Sequence, residues 1–173
     1  MQSLLPLARE VASLLVARKE TIAVAESSAG GLIAASLLAV PGASAYFFGG
    51  AVVYTARARR LLMGITNEEM TGLRSSSEPY ARLLATRSRE RFGSTWGLAE
   101  TGASGPSGNS YGDAPGHSCI ALIGPDPRGG ESSDALTLET GDADRERNMR
   151  AFAAAALEAL HRRLQACSAG VGR

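Results

Sequence analysis

Residues 21–31 read Thr21-Ile22-Ala23-Val24-Ala25-Glu26-Ser27-Ser28-Ala29-Gly30-Gly31, and the chain runs on through Leu32, Ile33, Ala35, Ser36 and Leu37. Thr21 to Ala25 is short, apolar and partly β-branched, as a buried strand is, and the apolar spacing after Gly31 predicts a helix. A strand, a polar glycine turn and a helix in succession form the repeating unit of an α/β fold.

Outward from this stretch the pattern persists. Leu7, Val11, Leu14 and Leu15 recur at helical spacing and predict an amphipathic helix over Leu4–Arg18. Downstream, Pro41-Gly42 marks a turn, Gly49–Tyr54 reads as a strand and Ala56–Met63 as a short basic helix. Thr66–Ser77 is polar and turn-like, and Glu78–Phe92 is helical with Pro79 in its first turn and Gly93 as its stop. Trp96–Glu100 and Ser118–Ile123 read as strands on either side of a long glycine-rich loop, Thr101–Gly116. After a turn at residues 125–130, Ala135–Glu139 returns as a hairpin strand, and Ala143–Gln165 is a long alanine-rich helix. Early alternation and a late hairpin predict a three-layer α/β/α sandwich with a mixed sheet. One domain is expected over residues 1–166, with a flexible tail over 167–173.

Composition narrows the function classes. The 18 Lys and Arg nearly cancel the 17 Asp and Glu, which disfavours a nucleic-acid or membrane-surface role. Hydrophobic residues make up 45% of the 173, enough for a real core. No apolar run approaches the roughly 20 residues that span a bilayer, and Pro6, Arg9 and Glu10 interrupt any secretion-signal pattern. Cys119 and Cys167 are too few for a disulfide framework and lack metal-ligand spacing, so free thiols in a reducing cytoplasm are expected.

Three segments carry candidate chemistry. Glu26-Ser27-Ser28-Ala29-Gly30-Gly31 combines hydroxyls, glycine amides and a helix start, which suits an anion such as phosphate, or equally a helix cap with close packing. Pro41-Gly42-Ala43-Ser44 places a serine in a turn, where a helix cap is the commoner role and a nucleophile would need a proton acceptor. Thr101-Gly102-Ala103-Ser104-Gly105 follows a strand end, where open α/β sheets bind ligands, although a plain surface loop reads the same way. His117 and His161 lack a triad or metal context. Arg145, Arg147 and Arg150 read as a solvated helix face from which one arginine can reach a phosphate.

In this order the segments resemble the CinA C-terminal family, the nicotinamide mononucleotide deamidases, over nearly the whole chain. The family's Ala-Glu-Ser-x-x-Gly-Gly is matched by Ala25–Gly31, its Pro-Gly-x-Ser-x-x-Phe by Pro41–Phe47, and its Thr-Gly-x-x-Gly-Pro-x-Gly by Thr101–Gly108. The resemblance implies hydrolysis of the carboxamide of nicotinamide mononucleotide to nicotinic acid mononucleotide and ammonia, with no metal or other cofactor. It implies Ser44 as nucleophile assisted by Tyr54. Glu26, Ser27, Ser28, Gly30, Gly31, Thr101, Gly102, Ser104, Gly105 and Arg145 would bind substrate.

One departure bears on the chemistry. The family's proton acceptor is a lysine in a Tyr-Ser-Asn-x-x-Lys run, and here the run is Tyr54-Thr55-Ala56-Arg57-Ala58-Arg59. A lysine can be tuned to lose its proton, whereas a guanidinium effectively cannot, so Arg59 is not a general base. As a catalytic-site residue it can still hold a phosphate or a developing oxyanion through its fixed fork of donors. A nucleotide-binding homologue with impaired catalysis is therefore the alternative expectation. The cluster Tyr46-Phe47-Phe48, if exposed, would favour a homo-oligomer.

Overall fold

The computed structural model describes residues 1–169. In chain order the elements are α1 (Leu5–Arg18), β1 (Ile22–Glu26), α2 (Leu32–Leu38), β2 (Phe47–Val52), α3 (Ala56–Met63), α4 (Glu78–Phe92), β3 (Trp96–Ala103), β4 (His117–Pro125), β5 (Glu131–Glu139) and α5 (Arg145–Ala169). The five strands form one sheet in the order β2-β1-β3-β4-β5. β2, β1 and β3 run parallel, while β4 and β5 are antiparallel to their neighbours, giving the mixed sheet of an α/β sandwich.

Each face of the sheet has its own apolar core. Val24, Leu98 and Ile120 pack with Val11 and Leu15 of α1, Ile33 of α2 and Phe152 and Leu160 of α5. On the other face Ala25, Ala99 and Ala121 meet Met63 of α3 and Tyr80, Ala81, Leu84 and Ala85 of α4. The small side chains on this second face let α4 lie close: a Cβ on Gly97 would stand 2.1 Å from the Ala85 carbonyl oxygen. No helix among the described residues is long and apolar enough to cross a membrane.

Several boundaries differ from those read in the sequence, and pairing explains each. β2 begins at Phe47 because Tyr46 already accepts from the Ile22 amide at 2.7 Å, and it stops before Tyr54 as Val53 donates to the Glu26 carbonyl at 2.7 Å. β3 continues past Glu100 to Ala103 because its last residues pair with His117–Cys119 of β4. β5 starts at Glu131, which faces Pro125 in the register. α5 starts at Arg145 rather than Ala143, since the Asp144 carboxylate accepts from the Arg147 amide at 3.0 Å and caps the helix. It continues through buried Cys167 to Ala169, while the end of the expected tail, residues 170–173, lies outside the described residues.

The aromatic cluster is less exposed than expected. Tyr46 is only 1% exposed and donates its hydroxyl to the Leu37 carbonyl at 2.6 Å, and Phe47 packs against the core. Phe48 alone, 48% exposed, faces solvent.

Candidate functional site

The carboxyl ends of β1 and β3 meet in register at Glu26 and Glu100, both fully buried. Glu100 accepts from the Ser27 amide at 3.1 Å, the Ala29 amide at 2.8 Å, the Ser118 hydroxyl at 3.0 Å and the Ser28 hydroxyl. Glu26 accepts from the amides of Ile33 at 3.1 Å and Ala34 at 2.9 Å in the first turn of α2. The donors expected to cradle a phosphate are thus largely taken by the protein's own carboxylates. Gly30 has φ 68° and a Cβ there would meet the Met149 side chain at 2.6 Å, so it serves packing as well as the turn. Burial pushes both carboxyls up, against the pull of their backbone bonds, and Glu26 reaches about 7.

Above this floor two cavities adjoin. One, of about 350 Å³, is lined by Ser27, Tyr54, Arg59, Ser76, Thr101 and Asn109 among others. The other, of about 270 Å³, is lined by Ser28, Ser104, Gly105, Ser107 and Arg145, and it shares Tyr54, Gly102 and Asn109 with the first. They form one polar cleft that Tyr54 divides. A further groove of about 280 Å³ between β5 and α5 is lined mainly by apolar residues such as Leu122, Leu136 and Ala159 and lies apart from it.

Thr55 starts α3 by accepting from the Ala58 amide at 3.1 Å, and the helix carries Arg59 into the first cavity. Arg59 is 7% exposed, donates Nη2 to Asn67 Oδ1 at 2.7 Å, and has a buried Nε with no partner among the described residues. At the start of α5, Arg145 donates to the Gly105 carbonyl at 2.7 Å and the Tyr54 hydroxyl at 3.3 Å. Of the three arginines read as a solvated face, Arg145 is the one that lines the cleft, while Arg147 and Arg150 pair with Asp142 and Glu146. Ser104 Oγ is likewise buried and unpartnered.

Ser44 is not part of this cleft. It sits exposed in the 3₁₀ turn Ala43–Ala45 before β2, where the parallel strands begin, and Tyr54 follows the strand's other end. A strand advances about 3.3 Å per residue, so the six residues of β2 alone hold the two roughly 20 Å apart.

Of the cleft's roof, the loop Thr101–Gly116 stood out in the sequence, whereas Ser76 and the partners of His117 did not. Ser76 adopts φ 55°, donates its amide to Thr101 Oγ1 at 3.3 Å and accepts at its carbonyl from His117 Nε2 at 3.0 Å. His117 Nδ1 lies 2.5 Å from Glu139 Oε1, and Asp113 lies 3.8 Å from Nε2. Asp113 also takes Arg74 at 2.6 Å and Asn109 Nδ2 at 2.8 Å, tying the loop after β3 to the segment before α4. Nothing local marks these residues, since each acquires its role from a partner distant in sequence. His161 pairs instead with Glu10 at 3.3 Å, away from the cleft. Burial pushes the Cys119 thiol up, which argues against a nucleophilic role.

The comparisons with known proteins agree with this architecture. The family described as CinA C-terminal domain matches residues 4–164. The chain belongs to the CinA C-terminal domain family. A CinA-like protein of Desulfosudis oleivorans is 40% identical over 160 residues, 92% of this chain and 38% of the relative, and one of Synechocystis is 38% identical with the same coverage. The chain therefore spans about two fifths of the length of these relatives. Among solved structures, the competence/damage inducible protein CihA from Agrobacterium tumefaciens is 29% identical with a TM-score of 0.80, covering 92% of this chain and 94% of that one. A CinA superfamily protein from Klebsiella pneumoniae 700603 is 26% identical with a TM-score of 0.81, covering 92% and 96%.

Proposed function

We propose that this CinA-family chain binds a pyridine mononucleotide in the Tyr54 cleft, in the cytoplasm and without a metal, and that a single copy does not hydrolyse it. The observation that carries the reading is the placement of Arg59 and Arg145 on either side of Tyr54, with Ser44 at the far end of β2. Arg145 and the Ser104–Gly108 loop suit a phosphate, the polar groups of Asn109, Thr101 and Ser27 suit ribose, and Tyr54 or Tyr111 can face a flat ring. Hydrolysis needs a nucleophile and a proton acceptor within reach of the same carbonyl. In one chain the cleft offers a guanidinium, a donor and not a proton acceptor, and the expected serine is remote. Calorimetric titration with nicotinamide mononucleotide, alongside an ammonia assay, tests this. Binding with no ammonia above a Ser44→Ala control is expected, and absence of binding would overturn it.

Amide hydrolysis to nicotinic acid mononucleotide and ammonia is the second reading, and one observation favours it. β2 is an edge strand, with its outer side unpaired among the described residues. Antiparallel pairing of two copies along Phe47–Val52, centred between Gly49 and Gly50, would bring the Ser44 turn of one copy towards the Tyr54 end of the other. Ser44-dependent ammonia release by a sedimenting dimer would establish this reading in place of the first.

A further inference from the structure

We infer that Arg59 makes the cleft selective for a ligand bearing a carboxylate, so that the chain prefers the acid form of a pyridine mononucleotide to its amide. The inference rests on the pyridine-nucleotide reading of the same cleft and specifies the group that its inner end recognises.

Among the described residues the Arg59 cation meets no anion, only the neutral amide oxygen of Asn67. The residue is 7% exposed, and its buried Nε has no partner among them. Tyr80, packed nearby, is pushed up to about 12 by burial and stays a neutral phenol, so it supplies no counter-charge. Burying a charge unpaired is costly, and arginine sites in protein interiors are ordinarily completed by a carboxylate or phosphate. Because Arg59 lines the larger cavity, an anion entering there completes it.

Two groups at the other end of the cleft determine which anion goes where. Arg145 beside the Ser104–Gly108 loop, with the orphan hydroxyl of buried Ser104, offers the smaller cavity to a second polar group. A ligand that satisfies both ends carries an anion at each, with a flat or sugar-like middle crossing Tyr54. A carboxylate presents two oxygens to the fork of Nε and Nη, whereas a carboxamide presents one oxygen and an NH₂ group whose hydrogens oppose the donors. The lysine expected from the family at this position would offer a point charge with no such fork.

The test is titration calorimetry of the full chain with nicotinic acid mononucleotide and, separately, nicotinamide mononucleotide, repeated on Arg59→Met and Arg59→Lys with melting curves for each. The acid is expected to bind at least tenfold more tightly than the amide, the ratio falling to about one in Arg59→Met and to an intermediate value in Arg59→Lys. Should Arg59→Met fail to fold, the drop in ratio in Arg59→Lys carries the test. Equal affinities in the wild type, or a ratio unchanged in the variants, would overturn the inference while leaving nucleotide binding intact. As a third probe, 6-phosphogluconate carries a carboxylate and a phosphate without a pyridine ring. If it binds through Arg59 while neither nucleotide does, the carboxylate subsite stands and the pyridine reading falls; if none of the three binds, both fall.

Discussion

Glu26 and Glu100 stand side by side on β1 and β3, fully buried, and between them accept the amide hydrogens of Ser27, Ala29, Ile33 and Ala34. The turn that opens α2 is thus clamped from below by two carboxyls rather than left open for a ligand. Two acids at this spacing, out of water, resist ionising together.

A pH dependence of stability follows for Glu26. Its carboxyl is raised by burial from 4.5 to about 7, so the proton it holds stabilises the fold fully below about pH 4.5 and that contribution is lost as the pH climbs through 7. The shift corresponds to roughly 3 kcal/mol at most. Urea unfolding at pH 5 and pH 8 should show the wild type losing stability relative to Glu26→Gln by a large part of that amount, and parallel curves for the two proteins would count against it.

His117 gives a second pH signature, at the roof. Burial pulls its pKa down, but the bonds to Glu139 and Ser76 and the charge of Asp113 outweigh it, so the ring sits above its ordinary 6.5. Both main partners are acceptors, which the doubly protonated ring alone can satisfy. The bond to Ser76 is held below about pH 6.5 and weakens as the pH rises through the raised value. Nucleotide affinity should fall about fivefold from pH 6 to pH 8.5, the worth of one hydrogen bond of about 1 kcal/mol. His117→Gln should flatten that profile; an equally steep slope in the variant would remove His117 from the account.

Arg145→Met removes the donor that joins Gly105 to Tyr54 at the cleft's outer end. Its exposed position predicts an unchanged Tm. Affinity for both the acid and the amide nucleotide should drop together by about tenfold or more, as for a charged hydrogen bond worth 1.5–3 kcal/mol. An affinity loss confined to one of the two would show that Arg145 meets the pyridine substituent instead of the phosphate.

Gly97→Ala is a control on the fold itself. Its Cβ would press within 2.1 Å of the Ala85 carbonyl oxygen, and backbone cannot step aside as a side chain can. Overpacking of this kind costs about 1–3 kcal/mol or more, so a clearly lowered Tm or poor soluble yield is expected, and a wild-type Tm would show that α4 can slide on the sheet.

The sequence made some of these relations legible and hid others. Ile22–Glu26 could be read because apolar strand residues and the glycines after them are local signals. The start of β2 could not, because Phe47 pairs with Ile22 and Gly49 with Ala23, an irregular step that no periodicity records. Tyr54 and Arg59 were found through a linear motif and do share a cavity. Ser44 came from an equally good motif, yet the six extended residues of β2 between it and Tyr54 were enough to keep them apart. His117, Ser76 and Asp113 act only through contacts that the folded chain creates, 41 residues apart in the case of His117 and Ser76.

The antiparallel pairing of β3 with β4 brings Ala103 and His117 level, and Gly116 donates to the Ala103 carbonyl at 2.8 Å. Residues 104–116 are therefore an insert between two fixed posts on one rim of the sheet, and their length is not constrained by the strands beneath. The insert is pinned at Ser104 by Asn148, at Gly105 by Arg145 and at Asp113 by Arg74, so a graft that keeps these anchors and replaces only the tip between them offers a route to re-aim the cleft at new ligands while the sandwich folds as before.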